Sequence, residues 1–193
     1  LISPEDALDR AGSTGKEFFF TKVRVVNEAG EDCAPDEPGE VLVKGPNIMV
    51  GYLNREEATA ESIVDGWLHT GDVAVMDADG FVYIQDRVKD MIISGGENVY
   101  PAEIENAIFG MEGVNEVAVI GIPSEKWGES PLAVVVRADD SVTEEAVLEH
   151  TAGKLAKFKQ PKKVEFIDAI PRNPTGKVLK RVLRDQFDGV TAE

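Results

Sequence analysis

With 193 residues, 42% of them hydrophobic and 29% charged, the chain is long enough for one generous domain or two modest ones, and two small domains fit slightly better. No apolar run approaches the roughly 18 residues of a membrane span, so no bilayer crossing is expected. The formal net charge of −16 argues against broad nucleic-acid binding, yet positive charge is concentrated locally: the 31 residues from Lys154 to Arg184 carry 10 of the 20 Lys and Arg and only two acids, Glu165 and Asp168.

The opening LISPEDALDR has neither a basic nor an apolar stretch, so a signal peptide is not expected, and a start without Met suggests a fragment or a processed form. FFFTKVRVV alternates near its end, and GEVLVKG reads as a short strand between glycines. Between them lies Cys33, the only cysteine, which excludes an internal disulfide and fits a reducing cytoplasm. The acids around it in EDCAPD raise a thiol pKa, which favours an inert loop cysteine over a nucleophile. NREEATAESI predicts a short helix entered from a Gly51-Tyr52 loop, and VAVMDADGFVYIQD predicts two strands around an Asp79-Gly80 turn. This half is β-rich.

After DRVKDMIIS the texture changes. PAEIENAIFGM places Pro101 at a first helical position and Ile104, Ile108 and Met111 on one face. EVAVIGI and LAVVVR have the pattern of buried strands, and SVTEEAVLEHTAGKLAKF opens with Ser141 and Glu144 at capping-box spacing before a helical pattern. KKVEFI predicts another strand, followed by the loop IPRNPTGK and a last helix from about Val178. Strands alternating with helices indicate an α/β or α+β unit. The boundary falls near residues 86 to 90 without a Gly/Ser linker, giving domains 1–88 and 89–193 joined by a short hinge.

Two segments invite a phosphate-loop reading. TGK at 175–177 fails the G-x-x-x-x-G-K-[ST] pattern because Val178 follows the lysine and Pro171 stands at the first glycine; GSTGKE fails through Arg10 and Glu17. What remains is Lys177 presented by an Asn-Pro-Thr-Gly turn, to be weighed against an ordinary surface lysine. His69 and His150 are far apart and have no companions at ligand spacing, so a structural zinc site is not expected.

Taken in order, GEVLVKGPNIMVGYLNREEAT, WLHTGD, DRVKDMIISGGENVYPAEIE and IPRNPTGKVLKR closely resemble the adenylate-forming superfamily of acyl- and aryl-CoA synthetases, luciferases and nonribosomal peptide adenylation domains. The likeness runs from about Gly12 to Phe187, and within the superfamily it is nearest to bacterial fatty-acyl-CoA synthetases. It implies an α+β architecture: the β-rich terminal part of a large adenylating domain, then a small mobile α/β C-terminal domain. It also implies a two-step ligase that joins a carboxylate, that of a fatty acid in the nearest branch, to CoA with MgATP as the energy source.

Roles follow by position. The resemblance makes Asp72 of HTGD the carboxylate that accepts hydrogen bonds from the ribose hydroxyls, Arg87 of DRVKD a second nucleotide contact, and Lys89 the hinge. Gly95 and Gly96 correspond to the loop lining the pantetheine tunnel, where glycine lets a thin chain pass close to the backbone. Lys177 corresponds to the lysine that reaches the carboxylate and the α-phosphate during adenylation, a fixed cation worth about 3 to 4 kcal/mol there. Trp127 and Phe158 resemble positions that contact the nucleotide end of CoA, with Lys159 beside them, although Gln160 stands where one branch has an arginine. The alternatives are core packing for Trp127 and Phe158, a turn-capping role for Asp72, and an ion pair with Asp86 or Asp90 for Lys89.

The phosphate loop, the aromatic-Gly-x-Thr-Glu stretch that holds adenine and Mg²⁺, and the acyl pocket of that superfamily have no counterpart in these 193 residues. The chain is therefore expected to need an upstream AMP-binding domain for activity, to hold no metal ligands of its own, to be cytoplasmic, and to make at most peripheral contact with membranes through its basic tail. Rival readings are a non-catalytic module that binds CoA, an acidic protein or nucleic acid, and an adenylating enzyme with a different acyl acceptor.

Overall fold

A computed structural model describes residues 1–193, which divide into two units, Leu1–Lys89 and Asp90–Glu193. No helix is long and apolar enough to cross a membrane. The first unit starts with helix α1 (Pro4–Asp9), which the sequence pattern did not indicate. Its signal lies in the cap: Ser3 accepts a hydrogen bond from the Asp6 amide and Pro4 takes the first helical position. An antiparallel sheet follows, of β1 (Lys22–Val26), β2 (Gly39–Lys44), β3 (Ile63–Val64), β4 (Trp67–Met76) and β5 (Val82–Arg87), with helix α2 (Glu56–Ser62) before β3. Strand β4 is the organiser, pairing with β2, β3 and β5. Alternation puts Val25, Val41, Ala74 and Val82 on one face as a small core, with Val23, Val43 and Met76 packed against it.

The β4–β5 turn forms at the predicted Asp-Gly pair, Gly80 having φ +85°. Its hub, however, is Asp77, whose Oδ1 accepts the amides of Asp79 at 3.0 Å and Phe81 at 2.9 Å while Oδ2 accepts Arg10 Nη1 at 2.5 Å. The expected turn before Asp72 proves to be a bulge inside the continuous strand β4. Leu42 pairs with His69 but Glu40 pairs with Val73, so Thr70–Asp72 carry extra chain. Gly71 has φ +71° there, and the Thr70 hydroxyl donates to the Val41 carbonyl at 2.8 Å.

In the second unit, β6 (Ile92–Ser94) and β7 (Glu97–Val99) form a tight hairpin, then come helix α3 (Pro101–Phe109), the long hairpin β8 (Val114–Ser124) and β9 (Gly128–Arg137), helix α4 (Glu144–Ala152), strand β10 (Lys163–Phe166) and helix α5 (Lys180–Gln186). Strand β9 pairs with β8 along its whole length, with β10 in parallel over Leu132–Val135, and with β6 at Gly128. Both faces of this sheet are covered. Ala133 and Val135 join Ile104, Ile108 and Val147 from α3 and α4, while Leu132, Val134 and Val136 join Ile170 and Leu183 of α5. Burial on both faces explains the unbroken apolar run LAVVVR. The molecule is α+β.

Two helix expectations are corrected. Helix α4 is capped not by Ser141 but by Thr143, whose side chain accepts the Ala146 amide. Glu144 does not close a capping box; it accepts the Val164 amide of β10 at 3.0 Å. The helix ends at Gly153, so LAKF is turn, and α5 begins at Lys180, two residues after the expected start. Met111 lies beyond the end of α3 yet still packs on the core that Ile104 and Ile108 enter.

Candidate functional site

Asp72 and Arg87 are direct cross-strand partners on β4 and β5. Arg87 Nε donates to Asp72 Oδ1 at 2.8 Å, and the Asp72 amide donates to the Thr70 hydroxyl at 3.1 Å. Below them, Glu40 receives the Gly71 amide at 3.1 Å and faces His69 Nδ1 at 2.9 Å. Arg87 is half exposed, and an ion pair this open to solvent contributes no more than about 1 kcal/mol, so a polar ligand could share or replace it at little cost. Lys89 follows, exposed, in a 3₁₀ turn spanning Val88–Asp90. Cys33 sits in the same unit with its thiol pushed up by burial and by Glu37 and Asp32, an environment that disfavours a nucleophile.

In the second unit, Gly95 and Gly96 occupy the β6–β7 turn with φ of +63° and +86°. Two successive positive φ values are what a two-residue hairpin of this hand requires. The Gly95 amide donates to the Trp127 carbonyl at 2.8 Å, and a Cβ on Gly95 would fall 2.7 Å from Trp127 Cε3. The indole thus rests on the bare backbone of Gly95, while 42% of the residue stays exposed. Lys126 Nζ lies 4.7 Å from the centre of that ring.

Phe158 is also exposed, with Lys159 Nζ at 5.8 Å from its ring. The Lys159 ammonium is already engaged, however, at 2.6 Å from Glu103 of α3. Lys162, which the motif reading missed, is pushed down by burial and then by the charges of Lys157 and Lys126, and its ammonium donates to the Lys157 carbonyl at 3.1 Å. The clues were present in KWGE and KFKQPKK, but only the fold brings these lysines together.

Lys177 stands on the loop between β10 and α5. Asn173 organises this loop: its Oδ1 accepts the Thr175 amide at 3.0 Å, the Thr175 hydroxyl at 2.8 Å and the Lys177 amide at 2.9 Å. The Asn173 amide donates to the Lys177 carbonyl at 2.9 Å, and its carbonyl accepts the Gly176 amide at 2.9 Å. Arg172 braces the outside, reaching the Gly176 carbonyl at 2.8 Å and Glu116 at 2.6 Å.

The basic tail is less free than its sequence suggests. Lys159, Arg172, Lys180, Arg181 and Arg184 are paired with Glu103, Glu116, Glu105, Asp185 and Asp90. Lys177 is exposed and its ammonium enters none of the ion pairs. A cation on a fixed backbone, open to solvent and not neutralised, can bridge two anions that must approach each other.

Residues 103–177 match the AMP-binding enzyme C-terminal domain, and residues 2–53 match the AMP-binding enzyme family. The chain belongs to this family of adenylate-forming enzymes. It is 52% identical over 187 residues to the long-chain-fatty-acid–CoA ligase FadD13 of Mycobacterium tuberculosis, covering 97% of this chain and 37% of that protein. Feruloyl-CoA synthase of Amycolatopsis is 51% identical over 180 residues, or 93% of this chain and 37% of the relative. Among solved structures, the o-succinylbenzoate CoA synthetase of Bacillus subtilis in complex with its acyl-adenylate intermediate superposes with a TM-score of 0.88 at 41% identity, over 95% of this chain and 38% of that one. The chain therefore spans a little over a third of the length of the relatives it matches.

Proposed function

We propose that this chain is the C-terminal portion of an ATP-dependent acyl-CoA ligase and works together with an upstream AMP-binding domain. The observation that carries the reading is the Lys177 loop, which presents an unpaired ammonium on a backbone closed by Asn173. In the first half-reaction a carboxylate oxygen attacks the α-phosphorus of ATP; the new P–O bond gives acyl-AMP as the bond to pyrophosphate breaks. The Lys177 ammonium lies against both the carboxylate and the α-phosphate and offsets the charge gathering on phosphorus. Asp72 accepts hydrogen bonds from the ribose hydroxyls and Arg87 steadies that carboxylate and the nucleotide.

In the second half-reaction the CoA thiolate attacks the acyl carbon and AMP leaves with the electrons of the C–O bond. The pantetheine arm passes the β6–β7 turn beside Gly96, where the space for a Cβ is open, while Gly95 seats the indole of Trp127. Trp127 and Phe158 offer faces for adenine, and Lys159 exchanges Glu103 for the phosphates together with its basic neighbours. Lys89 is the hinge between the two arrangements, with residues 1–88 belonging to the large domain and 89–193 forming the small one. Mg²⁺ enters bound to the phosphates of ATP, and the upstream AMP-binding domain is the part of the longer protein that meets it.

Fatty acids are the first substrates to test and ferulate the next, since the relatives named for these acids are 52% and 51% identical. Acid- and CoA-dependent conversion of ATP to AMP should appear in the protein extended upstream in its own gene and be absent from the 193-residue chain. Lys177→Ala in the longer protein should slow adenylation by about two to three orders of magnitude while largely sparing thioester formation from preformed acyl-AMP. Equal loss in both half-reactions would show that Lys177 has no particular part in adenylation. A longer protein that forms acyl-AMP yet ignores CoA would point to another acyl acceptor.

A further inference from the structure

We infer that Asn173 is a positioning residue for adenylation, acting through Lys177 by fixing the backbone from which the ammonium reaches. This rests on the role of Lys177 in adenylation proposed above. Its basis is geometric. Asn173 holds both backbone polar groups of Lys177, accepting its amide through Oδ1 and donating its own amide to its carbonyl, each at 2.9 Å. The same Oδ1 fixes Thr175 through its amide and its hydroxyl, so one side-chain oxygen ties together the residues on both sides of Gly176.

Gly176 has φ +87° with open space where a Cβ would stand, so it is glycine for conformation and not for packing. A flexible Gly beside a long side chain would let the ammonium sweep a wide volume unless something closes the loop. Neither helix nor sheet ladder does so here: Lys177 lies outside every strand and helix, the bridge of Arg172 to Val178 crosses the base of the loop, and the other ties, from the Arg172 side chain and the Asn173 carbonyl, reach Gly176 and not Lys177. The Asn173 side chain therefore supplies order that regular structure supplies elsewhere. Near-attack geometry is sensitive to displacements of about 1 Å, which can lower a rate about 100-fold, so a loosened loop should be felt in the step that uses Lys177.

The test compares Asn173→Ala, Lys177→Ala and the double variant in the upstream-extended protein. ATP–pyrophosphate exchange reads adenylation, and thioester formation from preformed acyl-AMP reads the other half-reaction. Asn173→Ala should lower exchange by about 10- to 100-fold while leaving thioester formation within about twofold, which also reports that the unit is folded. In the Lys177→Ala background, adding Asn173→Ala should change the residual exchange rate by less than about twofold, because a residue that acts only through Lys177 has nothing left to position. An unchanged exchange rate in Asn173→Ala, equal loss of both half-reactions, or a further large loss in the double variant overturns the inference. If Lys177→Ala itself retains adenylation, the role of Lys177 fails and this inference falls with it; loss in Lys177→Ala with none in Asn173→Ala overturns the inference alone.

Discussion

Gly95 shows how one missing atom shapes a surface. Its amide bonds to the Trp127 carbonyl and its Cα lies under the indole, so adding a methyl group meets both a backbone and a packing objection. An L-residue at positive φ costs about 1 kcal/mol, and a Cβ at 2.7 Å from Trp127 must push the ring away. In a Trp67→Phe background, which leaves Trp127 as the only tryptophan, Gly95→Ala should lower the urea midpoint and red-shift the emission as the ring lifts into water. An unchanged spectrum would mean that the indole does not rest on Gly95. The sequence offered Gly95, Gly96 and Trp127 as separate parts of one resemblance, and nothing in their spacing places the distant ring on the first glycine. Lys159 illustrates the reverse: its charge was readable, but its partner Glu103, 56 residues away, was not.

At the scale of elements, signals that act over a few neighbouring residues were legible. The Asp79-Gly80 turn, Pro101 at the start of α3, and the two-faced hydrophobicity of LAVVVR each correspond to a formed element. At α4 only Ser141 has an acid three residues on, which is why the local pattern points there, yet Thr143 caps the helix by accepting the Ala146 amide while Glu144 turns to the Val164 amide. That contact is tertiary. The β4–β5 turn carries a pH prediction. Burial works to raise the Asp77 carboxyl, but the amides of Phe81 and Asp79, together with Arg10 and Tyr83, leave it below its ordinary value. A lowered carboxyl pKa contributes stability that is present above about pH 4 and fades as the pH falls through the lowered value. Asp77→Asn should therefore reduce the thermal midpoint at neutral pH, with the two proteins converging in acid. Midpoint curves that stay parallel from neutral pH into acid would show that the charge on Asp77 contributes nothing to the turn.

At the scale of the whole molecule, the two units differ in how much core each owns. The second has clusters of ten and eight buried residues on the two faces of its sheet, whereas the first has one cluster of four. The first also exposes Phe19, Phe20, Val50 and Leu53 almost fully. A thin core with large apolar side chains in water is a poor basis for independent stability. Residues 90–193 expressed alone should unfold in one cooperative transition, and residues 1–89 alone should associate or remain uncooperative. A broad, gradual melt of the 90–193 piece would contradict this. Composition set the size of the molecule and hinted at two parts, but it could not show which part holds most of the core, because that depends on strand pairings such as β9 with β10.

The same central strand has a consequence for the order in which the chain can be completed during synthesis. Hairpin β8–β9 is local and closes across residues 125–127, but the partners that cover Leu132, Val134 and Val136 come later, from Ile170 and above all Leu183. Until α5 has left the ribosome, a valine-rich strand lies bare along one face, the kind of segment that pairs with neighbouring chains when left open. The last helix therefore completes the sheet and ends the interval in which a nascent copy can be captured by another.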